Sequence, residues 1–108
     1  MTIASITKDL DYENNISVLL ETDTSREVRI VLKDGHVIEE HSAPYPILLC
    51  IFSGGIEFGI NNETHKLKEG DIISIEANIP FDLKAKKDSI IRLSLSKKDT
   101  IERIEDLI

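Results

Sequence analysis

Gly35-His36-Val37-Ile38-Glu39-Glu40-His41-Ser42-Ala43-Pro44-Tyr45-Pro46-Ile47-Leu48-Leu49-Cys50-Ile51-Phe52-Ser53-Gly54-Gly55 is the stretch around which the chain is organised. It opens on a glycine turn and closes on a glycine pair. Between them lie two of the three histidines, two of the three prolines, the only cysteine and the longest apolar run. Val37–His41 reads as a strand whose alternation places Val37, Glu39 and His41 on a common side. Pro44 and Pro46 have no backbone N–H to give a ladder, so Ser42–Pro46 is a loop or an edge. Ile47–Phe52 is apolar at every position. A strand with one wet face would alternate, so the second face of this one calls for a cover. Six residues between a proline loop and Ser53-Gly54-Gly55 are too few for a stable helix.

Upstream, residues 1–15 are polar and mixed in sign, an arm with at most a short strand around Ile3–Ile6. Ile16–Glu21 is a short β-prone run closed by the turn-forming Thr22-Asp23-Thr24-Ser25. Glu27–Lys33 alternates, with Val28, Ile30 and Leu32 on one face. Lys33-Asp34-Gly35 turns into the central stretch, its glycine supplying a positive φ. Downstream, Ile56, Phe58 and Ile60 alternate up to an Asn61-Asn62 hairpin, and Glu63–Leu67 returns. Lys68-Glu69-Gly70-Asp71 turns again before Ile72–Ile75. Phe81, Leu83 and Ala85 share one face, and after Lys86-Lys87-Asp88 so do Ile91, Leu93 and Leu95. Short β-prone runs with turns about every 8–12 residues indicate an all-β sandwich or barrel. The last segment differs. Asp99-Thr100-Ile101-Glu102 has the form of a capping box, and Ile101, Ile104, Leu107 and Ile108 recur at helical spacing, so a short C-terminal helix over Thr100–Leu107 is expected.

At 108 residues the chain is one domain, able to bury roughly 65% of its unfolded surface without metals or disulfides. A net charge of −7 argues against nucleic acid, whose phosphates need several cations, and against anionic membrane surfaces. Neither a secretory leader nor a span-length apolar segment is visible. One cysteine forms no internal disulfide, so a cytoplasmic location is expected.

With Gly70-Asp71 and Pro80 in view, the chain resembles a small single-domain cupin. That family's first motif is a glycine, five residues, His-x-His, three or four residues, Glu, then six residues and a glycine. Gly35, His41 and Gly54 or Gly55 match it. Its second motif runs from Gly-Asp to a Pro-His pair, and Gly70-Asp71 and Pro80 match that. The resemblance covers Glu27 to Leu95. It implies a double-stranded β-helix, a jelly-roll barrel, and divides the chain into an arm (1–15), a cupin-like barrel (16–98) and a C-terminal helix (99–108). The family's second histidine falls on Ala43, its glutamate on Ile47 or Leu48, and its last histidine on Phe81. One remaining imidazole is short of the three or so protein ligands a catalytic metal needs. No metal, no cofactor and no catalytic residue is therefore assigned.

The ligand-pocket candidates are His41, Tyr45, His65 and Phe81. His41 is either a pocket hydrogen-bonder or a strand-end histidine satisfied by a neighbouring backbone group or Glu39. His65 alternates in phase with Leu67, so it either faces the interior or sits solvated beside Glu63. Tyr45, between two prolines, either overhangs the barrel mouth or packs on its loop. Phe81 would fill the floor. His36 is expected at the surface and Cys50 in the core, where an apolar setting makes a thiol inert. Glu39 and Glu40 are adjacent, point to opposite sides and form no acid–base pair. Lys84, Lys86 and Lys87 are expected to be solvated.

Three classes of function are compatible with these residues. The first is a metal-independent binding or sensory module holding a small, partly apolar molecule. The second is a cupin-type metalloenzyme (oxygenase, isomerase or lyase) using His41 with unusual partners such as His65 or Tyr45. The third is a structural barrel filled by its own side chains. A homodimer is expected, because a partner subunit is the commonest cover for a face such as that of Ile47–Phe52.

Overall fold

The computed structural model describes residues 1–99, so the helix expected over 100–107 lies outside the described residues. The strands follow the apolar alternation closely: β1 (Asn15–Glu21), β2 (Ser25–Leu32), β3 (Val37–His41), β4 (Ile47–Ser53), β5 (Gly55–Ile60), β6 (Glu63–Lys68), β7 (Ile72–Ile75), β8 (Phe81–Ala85) and β9 (Ser89–Ser96). They form a five-stranded sheet in the order β1-β2-β9-β4-β7 and a four-stranded sheet in the order β3-β8-β5-β6. Every pairing is antiparallel. After β2 the chain changes sheet at almost every turn, and this winding is the jelly roll, a double-stranded β-helix. No helix occurs among the described residues.

Turn chemistry fixes the registers. Asn61 and Asn62 both hold positive φ, 53° and 62°, so β5 and β6 meet through a two-residue turn whose twist suits the strands. Gly54, at φ 93°, carries the chain from one sheet to the other. A Cβ there would collide with Ser89 Oγ and with the backbone of Asp88 and Ser89, so the position admits only glycine. Ser89 is buried, and its Oγ accepts the Gly55 N–H at 3.1 Å, which clamps the crossing to the start of β9. The Gly70-Asp71 turn docks on β4 through Gly70 N–H to Ile51 O (2.8 Å) and Ile51 N–H to Asp71 O (2.9 Å).

The core lies between the sheets. Val28, Ile30, Ile47, Leu49, Ile51, Ile91, Leu93 and Leu95 come from one sheet, and Ile38, Ile56, Phe58, Phe81, Leu83 and Ala85 from the other. Each large side chain so buried contributes about 1.5–3 kcal/mol.

The N-terminal arm, read as holding at most a short strand, forms none at Ile3–Ile6; residues 6–9 turn, with Asp9 at φ 52°, and lie against the outer face of the five-stranded sheet. One expectation is corrected. β4 does alternate. Ile47, Leu49 and Ile51 are buried while Leu48 and Phe52 are exposed, so nothing among the described residues covers its second face. β2 is the strand buried on both faces from Val28 to Leu32, because the N-terminal segment covers its outer side at Arg29.

Candidate functional site

Strand β3 carries the decisive irregularity. Its register against β8 runs Val37↔Lys84 and Ile38↔Leu83, then shifts so that His41 faces Phe81. Residues 38 and 41 would point to opposite sides of a regular strand. The bulge at Glu39-Glu40 absorbs one residue and brings both inward, leaving Val37, Glu39 and Glu40 exposed. The common side read for Val37, Glu39 and His41 is therefore wrong, and the bulge is the reason.

Once inside, His41 is held by its own strand, Nδ1 lying 2.8 Å from the Glu39 carbonyl oxygen. Its ring stands 4.4 Å from that of Phe81, tilted at 56°. Nε2 is buried without a hydrogen-bond partner. Around this corner Ile30, Ile47, Leu49, Leu93 and Leu95 leave a void of about 10 Å³ for the centre of a water molecule, roughly one water in size. The barrel interior is thus plugged, and Phe81 is the plug.

The motif resemblance implies a divalent metal at this corner. The residues present do not fit one. Ala43 is buried and offers no donor, Phe81 puts a ring against the imidazole, and the neighbours are aliphatic. No group of three His, Cys, Asp or Glu side chains able to hold a metal occurs among the described residues.

A second opening lies where the two sheets part. β6 ends one sheet and β7 the other, and between these edges Phe58, Ile60, His65, Leu67, Ile73 and Ser74 line a cleft of about 200 Å³. His65 sits directly across from Phe58 in the β5–β6 ladder, so it belongs to the inner row with Leu67. It is also half-exposed, with Nε2 3.4 Å from Glu63 Oε2. Both readings of this histidine hold together, since the inner face of an edge strand is also the lip of the cleft. Phe58 and Phe81, 5.5 Å apart, join this cleft to the plugged corner. His41, Phe81 and His65 therefore share the inner face of one sheet, whereas Tyr45 stands apart on the proline loop, half-buried and lining neither cavity.

A family model described as "Cupin domain" matches residues 28–96. The chain belongs to the cupin family. No curated protein matches this cupin by sequence. Among solved structures, a conserved protein of unknown function from Streptococcus pyogenes shares 25% identity, covering 89% of this chain and 87% of its own, with a TM-score of 0.74. An RmlC-like cupin from Desulfovibrio desulfuricans aligns at TM-score 0.78 and 14% identity, over 89% of this chain and 96% of that one. An RmlC-like cupin with a double-stranded β-helix fold from Methanocaldococcus jannaschii aligns at TM-score 0.72 and 19% identity, over 96% and 95%. These likenesses show the fold.

Other residues of this cupin sit differently from the sequence reading. Cys50 faces outward on β4, partly exposed between Ile72 of β7 and Arg92 of β9 rather than in the core. His36 is half-buried with Nε2 lacking a partner, not at the surface. Arg29, in β2, is only weakly marked in the sequence. It is 4% exposed on the outer face. Only its place between two aliphatics in a strongly β-prone run hinted at burial.

Proposed function

We propose that this cupin is a metal-independent module that binds a compact, partly apolar molecule in the cleft between the edges of β6 and β7, and that it works as a homodimer. The observation that carries the binding reading is the lining of that cleft. Phe58, Ile60, Leu67 and Ile73 make an apolar bed, and His65 and Ser74 offer polar groups at its rim. This is the composition of a small-molecule pocket, below the usual size of about 300–1,000 Å³, so the ligand is no larger than a single ring or a short branched chain. The plugged corner at His41 and Phe81 supports a site that uses no metal.

A thermal-shift titration with phenol, benzyl alcohol and cyclohexanol tests the reading, because a molecule that binds only the native state raises apparent stability. At least one of them is expected to give a saturable rise. His65→Trp, which fills the mouth from an exposed position, should abolish the rise, while His41→Ala should keep it. A flat response to all three would favour the third class, a barrel filled by its own side chains.

A further inference from the structure

Arg29 presents an electrostatic problem that the cleft does not touch. It lies on the outer face of the five-stranded sheet, directly between Ser17 of β1 and Arg92 of β9. Two guanidiniums placed side by side repel. Glu27 answers one of them: it pairs with Arg92 and also accepts the Ser94 hydroxyl at 2.8 Å. Arg29 makes no ion pair among the described residues. Its Nη1 donates to the carbonyls of Ile6 (3.0 Å) and Lys8 (2.8 Å), neutral acceptors that carry no counter-charge. Nε is buried and has no hydrogen-bond partner among the described residues. A buried, uncompensated cation is costly, and such groups are ordinarily paired.

The space beside it has the size of a ligand site. Between the N-terminal segment and β1 a pocket of about 350 Å³ is lined by Arg29, Lys8, Ser5 and Ser17, with Asp9 as its one acidic residue. Ile3, Ala4 and Ser5, exposed and outside any strand, line it as well. With Nη1 engaged by the segment above, the edge of the guanidinium left without bonds is Nε with Nη2. That edge matches two oxygens of a carboxylate or phosphate in a bidentate pair. We infer that Arg29 is the anchor of a second site, on the outside of the barrel, for a small oxyanion group, with Lys8 and Ser17 completing its surroundings. This cation-lined pocket in a chain of net charge −7 is selective for negative ligands by local chemistry rather than by overall field.

The test uses the full chain, titrated separately with inorganic phosphate and with acetate, against sodium chloride at matched ionic strength. The readouts are the Arg29 Nε–H resonance and the thermal midpoint. A saturable displacement of that resonance by phosphate or by acetate, absent with chloride, is expected, and which of the two acts identifies the group recognised. Lys8→Gln, at an exposed position, should weaken the response several-fold. Ser17→Asp places a carboxylate beside Arg29; it should raise the midpoint without any added anion and abolish the response. Neither variant removes Arg29, so the N-terminal segment keeps its two carbonyl bonds. No saturable response to either oxyanion overturns the proposal. A response that persists undiminished in Ser17→Asp places the anion elsewhere and overturns it as well.

Discussion

His41 shows what a single imidazole does when its neighbours offer it no charge and no further donor. One nitrogen is tied to a backbone carbonyl and the other faces hydrocarbon. Desolvating a divalent ion beside Phe81 would cost more than one imidazole returns. Restoring donors on this wall with Ala43→His and Phe81→His is expected to create weak zinc binding that the wild type lacks, checked by elemental analysis after dialysis. Phe81→Ala alone should open the plugged corner. Loss of a buried aromatic ring of this kind costs about 3–5 kcal/mol, read from a urea midpoint. A loss below about 1 kcal/mol would mean that Phe81 is not packed as described.

At the scale of the element, the turns and strands were legible because period-2 alternation and turn residues act locally. Asn61-Asn62, Gly35 and Gly70 announce their positive φ directly. The β3 bulge was not legible. Glu39 and Glu40 are both polar and both end up in solvent, so nothing in their chemistry marks the extra residue. Cys50 was misread for a related reason: Ile47–Phe52 is apolar throughout, and no period shows which half faces the core. Arg29 was missed because its cover comes from residues 6–8, far along the chain. Two outcomes belong here. Deleting Glu40 should remove the bulge, set Glu39 across from Asp82 and leave His41 inward opposite Phe81, visible as retained contact shifts between the two rings in the NMR spectrum. Gly54→Ala should cost at least about 1–3 kcal/mol from the strained φ alone, and more from its collision with Ser89, measured by thermal unfolding.

For the whole molecule, the outer face of β4 and β7 is the conspicuous surface. Leu48, Phe52 and Ile72 are 45%, 42% and 60% exposed, with Cys50 among them. An apolar patch on a sheet face is the surface by which a second copy would associate with two-fold symmetry. Light scattering at micromolar concentration is expected to return a dimer mass. Leu48→Lys with Phe52→Lys should return a monomer with an intact core, because Ile47, Leu49 and Ile51 point the other way. A wild-type monomer would remove the dimer and leave the cleft reading standing.

The place of β9 has a consequence for how this chain is made. It is the last strand among the described residues, yet it lies between β2 and β4 and pairs along both. Until it emerges from the ribosome, β1-β2 and β4-β7 are separate ribbons with open edges, and the apolar residues of β2 and β4 have no roof. The vulnerable interval therefore lasts until β9 has been made, while unpaired edges invite pairing with other nascent chains. Any stop codon upstream of Ser89 would yield an aggregating fragment rather than a smaller working barrel.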